Sequence, residues 1–256
     1  MSDGRPVVVA VRDLHKSFGA NRVLTGVTLE VRRGETIVVL GGSGSGKSVL
    51  LKHINGLLRP DSGTVEVLGC RVSEMPELDL VALRRRVSYI FQNAALFDSL
   101  SVGENVAFPL REHLALPDDE IEARVATLLG RVGLTGTEDL APAELSGGMR
   151  KRVALARGLA LDPEVILYDE PTAGLDPLTG LAITALLREV TRGTGATSLV
   201  VTHDLAVAEG LADRVAFLTG GRFAFTGPLA LAAEQEGAVG EFVRAGGVHA
   251  REGSRT

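Results

Sequence analysis

The residues with the clearest chemical potential form a glycine-rich loop. Residues 41–48 read Gly-Gly-Ser-Gly-Ser-Gly-Lys-Ser, which fits the spacing G-x-x-x-x-G-K-[ST]. Glycines let backbone N–H groups turn inward around phosphate oxygens, and a helix that starts there adds partial positive charge. We expect Lys47 to neutralise the β- and γ-phosphates and the Ser48 hydroxyl to help hold Mg²⁺. The loop therefore predicts a nucleoside triphosphate site made by Gly41, Gly42, Ser43, Gly44, Ser45, Gly46, Lys47, Ser48 and Val49.

A second candidate element is an acidic pair that follows an apolar run. Residues 165–168 read Val-Ile-Leu-Tyr, and Asp169 and Glu170 come directly after them. Carboxylates at the carboxyl end of a buried strand lie on the ligand face of an open α/β sheet. Asp169 fits a carboxylate associated with Mg²⁺ through water, and Glu170 fits the residue that orients and activates an attacking water.

A third element is the sequence Leu-Ser-Gly-Gly-Met at residues 145–149. It is predicted to open a helix that runs to about residue 161, with Ser146 as the N-cap and with backbone donors exposed at Gly147 and Gly148. This is a second anion site in the same chain. One nucleotide would not need two complete helix-end sites from one subunit, so we expect this site to serve the nucleotide of a neighbouring copy.

Composition limits the class of protein. The chain has 256 residues, a formal net charge of -5 and one cysteine, which argues against a disulfide framework and against a general nucleic-acid partner. The apolar runs are far shorter than a bilayer span, and residues 1–6 lack the apolar stretch of a signal peptide. We therefore expect a soluble chain that reaches a membrane only through a partner.

Short β-like runs alternate with helical stretches along most of the chain, which predicts an α/β fold with a parallel sheet. Residues 92–161 are expected to be mostly helical, with Pro109, Pro117 and Pro142 at helix boundaries. The predicted strands are residues 7–11, 23–31, 35–40, 64–68, 87–91, 165–168, 198–202 and 215–218, and the helices outside the middle are 47–58, 177–192 and 205–212. The predicted regions are a first core part with a β subdomain (1–91), a helical subdomain (92–161), a second core part (162–245) and a flexible tail (246–256).

Taken together, these motifs closely resemble the ATPase subunits of ABC transporters, over residues 7–243. The Leu-Ser-Gly-Gly sequence between a phosphate loop and an acidic strand is highly specific to that family. The resemblance implies a RecA-like P-loop NTPase core with an antiparallel β subdomain and an inserted helical subdomain. It also implies ATP hydrolysis with Mg²⁺ in a head-to-tail dimer that drives a membrane permease.

The same resemblance assigns roles to four further residues. Phe18 stands where the family has an aromatic residue that stacks on adenine, more often tyrosine, so stacking is expected without a phenol hydrogen bond. Gln92 matches the glutamine that couples the magnesium site to the permease contact. Asp176 matches a loop that reaches across the dimer, and His203 matches the histidine that contacts the γ-phosphate.

The cargo is suggested by a narrower resemblance. Residues 92–100 and 104–113, together with Met149, are similar to the ATPases of Mla-type lipid transport systems, which work with permeases and MCE-domain proteins of the bacterial envelope. This implies phospholipid cargo and a place on the cytoplasmic face of the inner membrane. The alternatives are an importer of a polar solute such as an amino acid, a soluble P-loop kinase or GTPase, and a non-transport ABC protein that acts on ribosomes or DNA.

The expected permease contact is an apolar segment just after Gln92. Its residues are Ala94, Ala95, Leu96, Phe97 and Leu100. In the resembled family this region forms a groove for a cytoplasmic helix of the permease, so we expect Phe97 or Leu96 to be partly exposed.

Overall fold

The structure is a computed structural model that describes residues 4–252, with side chains described for residues 4–245. It divides into two compact units, Met1–Val81 with Thr197–Thr256 and Ala82–Ala196. The second unit is thus wider than the helical subdomain expected at 92–161, because it also takes in the acidic strand and the helix after it.

The strands, in chain order, are β1 (Val7–Phe18), β2 (Asn21–Arg32), β3 (Thr36–Leu40), β4 (Ser62–Val67), β5 (Cys70–Arg71), β6 (Val87–Ile90), β7 (Val165–Asp169), β8 (Thr197–Thr202), β9 (Arg214–Thr219) and β10 (Arg222–Gly227). The helices are α1 (Lys47–Ile54), α2 (Glu77–Arg84), α3 (Val102–His113), α4 (Asp118–Arg131), α5 (Gly147–Leu159), α6 (Pro177–Thr194), α7 (Leu205–Leu211), α8 (Leu229–Ala233) and α9 (Ala238–Glu252).

In the first unit, one sheet is antiparallel, with the strand order β2-β1-β4-β5. The other strands run in the order β10-β9-β3-β8, where β3 is parallel to both β8 and β9. All five residues of β3 are buried, as expected for a parallel strand covered on both faces. Leu40 pairs with Thr202, so the chain leaves β3 and β8 at the same edge of the sheet.

In the second unit, β6 is parallel to β7, and Ile90 pairs with Tyr168 at their carboxyl ends. Gln92 follows β6, and the acidic pair stands at the end of β7, so both lie where two strands end at one edge. Helix α3 packs against both α4 and α5, and α5 packs against α6. The buried faces of these helices repeat every three or four residues, as at Val102, Val106 and Leu110 of α3.

Pro109 departs from its predicted place at a helix boundary, because it lies inside α3. Proline removes one intrahelical hydrogen bond. The helix continues through it because Ser101 and Glu104 form a capping box at its start and because Val106 and Leu110, on either side, are fully buried. By contrast, Pro117 immediately precedes α4, as expected.

Other differences lie at the ends of elements. Helix α1 ends at Ile54, four residues before the predicted end, and α2, α8, α9, β5 and β10 were not predicted. Helix α9 reaches Glu252, so the expectation of a flexible tail differs from the backbone at residues 246–252, and residues 253–256 lie outside the described part. Within residues 4–252, the helices are too short or too polar to cross a bilayer.

Candidate nucleotide-binding and hydrolytic site

The two units carry different parts of the predicted site. The first unit holds Phe18, the loop at residues 41–48 with Val49, and His203; the second holds Gln92, Ser146, Gly147, Gly148, Asp169, Glu170 and Asp176.

The phosphate loop joins β3 to α1 in the way that the sequence predicts. The Lys47 side chain is buried, and its Nζ donates to the carbonyl oxygens of Gly41 at 2.8 Å and Gly42 at 3.0 Å. A Cβ atom on Gly41 would lie 2.4 Å from the Leu218 carbonyl oxygen. Gly46 caps α1 with φ at 101°, a conformation that glycine adopts without strain. The local chain thus requires glycine at two loop positions for different steric reasons.

His203 lies at the same sheet edge as this loop, because it directly follows β8. Its side chain is exposed, and the next residue, Asp204, caps α7 by accepting a hydrogen bond from the Ala206 N–H at 2.9 Å. The first unit therefore brings a cationic loop and an exposed imidazole to one edge.

Phe18 lies at the end of β1, and its ring is 48% exposed. The Lys16 ammonium lies 5.6 Å from the centre of this ring. Lys16 is itself held by the Asp61 carboxylate at 2.9 Å and by the Arg59 carbonyl oxygen at 2.8 Å. An exposed aromatic face is suited to stacking on a base, as the resemblance implies.

In the second unit, the acidic pair is buried, with Asp169 6% and Glu170 8% exposed. Tyr89 of β6 donates its hydroxyl proton to Asp169 Oδ2 at 2.7 Å. Burial first, and then this hydrogen bond, raise the pKa of Tyr89, so it remains a donor at neutral pH. Glu170 has φ at 46°, in the left-handed region that is unfavourable for a residue with a side chain.

Sequence reasoning missed both Tyr89 and Lys151, which approach the acidic pair from β6 and α5. The Lys151 Nζ donates to the Glu170 carbonyl oxygen at 3.2 Å and also to the Gln92 carbonyl oxygen. Burial lowers the pKa of Lys151, and the nearby carboxylates of Asp169 and Glu170 oppose that shift. A hydroxylated aromatic residue in a short apolar strand was the available signal for Tyr89; for Lys151 the sequence contains none.

The Leu-Ser-Gly-Gly loop forms a capped helix start, as predicted. The Ser146 Oγ accepts from the Met149 N–H at 3.2 Å, and Ser146 itself is exposed. A Cβ on Gly148 would lie only 2.8 Å from Thr179 Cγ2, so the start of α5 closely approaches the start of α6. Gly148 is itself buried, so glycine is required at this place for packing.

Asp176 is the N-cap of α6. Its carboxylate accepts from the Thr179 N–H at 3.1 Å and also from the Thr179 hydroxyl. These hydrogen bonds, the hydroxyl's first, lower the pKa of Asp176. The loop before α6 is therefore shaped by the helix cap.

The segment of residues 92–101, called the Gln92 segment below, is held by two side chains from helices. Asn105 is fully buried; its Oδ1 accepts from the Phe97 N–H at 2.8 Å, and its Nδ2 donates to three carbonyl oxygens of the segment. Arg157 of α5 donates to the carbonyl oxygens of Ala94 and Ala95, each at 2.8 Å. Both alanines have positive φ, at 61° and 49°.

Phe97 projects from this segment with 43% of its surface exposed, which confirms the predicted exposure. Its ring lies against Phe108 of α3, with ring centres 4.8 Å apart, and Phe108 is 40% exposed. The Arg157 guanidinium lies 5.7 Å from the Phe97 ring centre. Together they form an exposed aromatic pair, which is called the Phe97–Phe108 patch below.

The donors available for a divalent cation are oxygen atoms. Ser48, Gln92 and Asp169 carry a hydroxyl, an amide and a carboxylate, all hard ligands of the kind that Mg²⁺ takes. Among residues 4–245 no group of three or more His, Cys, Asp or Glu side chains is arranged as a metal cage.

The family model and the solved structures that match this chain point to the same class of protein. The family model described as ABC transporter matches residues 24–173, more than half of the chain. A solved dimeric ATP-binding cassette in a post-hydrolysis state with ADP and Pi is similar, with a TM-score of 0.79, 33% identity, and coverage of 85% of this chain and 97% of that one.

Curated relatives are equally similar but are named for different cargoes. Protein TRIGALACTOSYLDIACYLGLYCEROL 3, chloroplastic, of Arabidopsis thaliana is 44% identical over 86% of this chain. A probable ribonucleotide transport ATP-binding protein of Mycobacterium leprae is 42% identical over 88%, and a methionine import ATP-binding protein of Mesorhizobium japonicum is 43% identical over 89%. The chain spans 68%, 66% and 62% of the lengths of these relatives, so it covers about two thirds of each.

The α/β fold and the phosphate loop define a P-loop NTPase. The chain belongs to the ABC transporter family, and within it to the ATP-binding cassettes. The predicted fold class, ATPase activity and use of ATP with Mg²⁺ are thereby confirmed at the level of the family. Cassettes of this family dimerise and work with membrane permease subunits.

Proposed function

We propose that this chain is the ATP-hydrolysing subunit of a transporter that moves phospholipid of the cell envelope. In this proposal it lies at the cytoplasmic face of the inner membrane, bound to an integral permease, with an MCE-domain protein as a further partner. The observation that carries the lipid assignment is the 44% identity to a plant protein whose name is that of a diacylglycerol lipid. The Mla-type pattern around Gln92 and at Met149 supports the same cargo.

A second candidate is the ATPase of an importer for a polar solute such as an amino acid. It is favoured by the methionine import relative, whose identity of 43% is nearly the same. Residues that would touch the cargo belong to other subunits, so the cargo must be identified through the partners.

The proposed reaction uses two copies arranged head to tail. The loop at residues 41–48 of one copy and residues 146–148 of the other hold the same ATP between them. The start of α5, where the capping residue Ser146 is exposed, supports this role, because helix starts favour anions. Phe18 stacks on the adenine, and Asp176 lies in the loop that reaches the second copy.

Within that dimer, each side chain of the proposed site has one role in hydrolysis. Glu170 accepts a hydrogen bond from the attacking water and orients it, while Lys47 neutralises charge on the phosphate oxygens and His203 contacts the γ-phosphate. Ser48, Gln92 and Asp169 would hold Mg²⁺, which supplies further positive charge to the transferred phosphoryl group. Since ATP bridges two copies, its cleavage removes the contacts that favour the closed dimer.

The test of this mechanism is the variant Glu170→Gln. Removing a positioned base typically costs about 10²- to 10⁴-fold in rate. We expect hydrolysis to fall by that order while ATP still binds, so that the variant accumulates as an ATP-bound dimer in size-exclusion chromatography. Glu189→Gln, an exposed change on α6, is the matched control and should behave as the wild type. Wild-type hydrolysis by Glu170→Gln would refute the role of Glu170.

The partners are tested with the same trapped variant. It would be used to capture complexes from detergent-solubilised native membranes, and the bound proteins and lipids would be identified by mass spectrometry. A permease with an MCE-domain protein and enriched phospholipid is the expected result. A permease with a soluble solute-binding protein would replace the lipid assignment with the importer, and capture without any permease would contradict both.

The proposed permease contact is the Gln92 segment with the Phe97–Phe108 patch. Two large aromatic side chains are exposed there, and exposed apolar patches commonly mark partner sites. Its base is anchored by Asn105 and Arg157, so the patch has a defined shape to present.

A further inference from the structure

Lys151 contacts two parts of the proposed hydrolytic site, although the proposed mechanism gives it no role. It lies in the second turn of α5, and its ammonium donates to the Glu170 carbonyl oxygen at 3.2 Å and to the Gln92 carbonyl oxygen. The side chain is half-buried, and its hydrogen bond to Glu170 is partly shielded from water, whereas its hydrogen bond to Gln92 is exposed.

The contact to Glu170 meets a backbone that needs support. Glu170 is buried and has φ at 46°, in the left-handed conformation that is unfavourable for a residue with a side chain. Such a conformation persists only where neighbouring groups determine it. A charged donor on the Glu170 carbonyl oxygen is one such group, because it fixes the direction of the peptide plane that follows the strained φ.

The contact to Gln92 links a second segment to the same ammonium. Gln92 follows β6 and Glu170 follows β7, two parallel strands that end at one edge. The Lys151 ammonium therefore joins the two chain segments just beyond that edge through a single charged group.

We propose that Lys151 is a positioning residue for hydrolysis: it holds the backbones of Glu170 and Gln92 in fixed relation, and so aims the Glu170 carboxylate. This inference rests on the proposed role of Glu170. Lys151 touches neither substrate nor water in this account; it acts through the peptide groups that it binds.

The experiment compares purified Lys151→Met and Lys151→Arg with Arg152→Met. Arg152 is the matched control, because it is the next residue on α5, is also half-buried, and also donates to a backbone carbonyl, that of Val132 at 2.8 Å. We expect Lys151→Met to lower kcat by about 10- to 100-fold, the cost of a misplaced catalytic group. The Kd for a fluorescent ATP analogue should stay within about twofold, because the phosphate loop is unchanged.

Two further readouts separate positioning from general stability. Amide hydrogen exchange in peptides covering residues 169–173 should become faster in Lys151→Met but not in Arg152→Met. Lys151→Arg should recover most of the lost kcat, since a guanidinium also donates to two carbonyl oxygens. Wild-type kcat in Lys151→Met, or equal losses of kcat and melting temperature in Lys151→Met and Arg152→Met, would overturn the inference.

Measuring Glu170→Gln in the same assay separates a failure of the role of Lys151 from a failure of the role of Glu170. If Glu170→Gln is inactive and Lys151→Met is fully active, only the role of Lys151 fails. If Glu170→Gln hydrolyses ATP normally, the proposed function of Glu170 fails, and the inference about Lys151 fails with it. The double variant should be no slower than Glu170→Gln alone, because both changes act on one step.

Discussion

Replacing Asn105 with leucine should unfold the base of the proposed permease contact. Asn105 is fully buried in α3, and its amide makes four hydrogen bonds to the Gln92 segment, between 2.8 and 3.1 Å. Leucine has a similar size but neither donates nor accepts. The Phe97 N–H and the carbonyl oxygens of Phe97, Leu100 and Ser101 would all lose this partner.

The magnitude follows from the number of hydrogen bonds. A typical intramolecular hydrogen bond contributes about 1 kcal/mol net. Because Leu100 and Ser101 are partly accessible, water can satisfy some of their carbonyl oxygens after the change. We therefore expect the free energy of unfolding to fall by about 2–4 kcal/mol. With a urea dependence of about 3 kcal/mol per molar, the unfolding midpoint should fall by roughly 1 M.

The assay is urea unfolding combined with hydrogen exchange of a peptide that covers residues 95–101. Exchange should accelerate in this peptide first, because the change acts on its backbone directly. Asn93→Ala, an exposed asparagine in the same segment, is the control and should change neither quantity. A midpoint for Asn105→Leu within about 0.2 M of the wild type would show that the segment does not depend on these hydrogen bonds.

Two further predictions concern Tyr89, which contacts the proposed magnesium ligand Asp169, and the buried His53. Tyr89→Phe removes the hydroxyl that donates to Asp169, so the Mg²⁺ concentration for half-maximal hydrolysis should rise roughly fivefold, about 1 kcal/mol. His53 of α1 has its pKa lowered from an ordinary 6.5, mainly by burial. The unfolded chain therefore takes up this proton more readily than the folded one. Stability should fall as the pH drops below about 6.5, and the drop in melting temperature between pH 7.5 and 5.5 should be smaller in His53→Gln.

Each of these predictions has a clear contrary result. An unchanged Mg²⁺ dependence in Tyr89→Phe would mean that the hydroxyl does not affect the Asp169 carboxylate during hydrolysis; the melting temperature serves as the control for folding. Parallel pH profiles of melting temperature for the wild type and His53→Gln would show that another group is responsible for acid sensitivity.

The sequence predicted best where one local rule decides the structure. The phosphate loop was predicted because glycine, lysine and serine occur at a fixed spacing between an apolar run and a helix, and the loop joins β3 to α1 as expected. The N-cap at Ser146 follows from the same kind of local hydrogen bonding. Such features depend on neighbours in sequence, which the sequence shows directly.

Features that depend on distant neighbours were missed. Pro109 reads as a helix boundary, but burial of Val106 and Leu110 against other helices keeps α3 continuous. Lys151 reads as a surface lysine on a helix, and only the fold brings it to the carbonyl oxygens of Gln92 and Glu170. The roles assigned to the individual site residues remain predictions, and the variants above are their test.

The start of the Gln92 segment has a backbone conformation that is unfavourable for its own residues. Ala94 and Ala95 have positive φ, which is unfavourable for alanine. Arg157 donates hydrogen bonds to the carbonyl oxygens of both. Lys151, from the same helix, binds the carbonyl oxygen of Gln92. Three of four consecutive peptide groups are thus tethered to α5. Any displacement of α5 would therefore act on residues 92, 94 and 95 together, because one helix holds the carbonyl oxygens of all three.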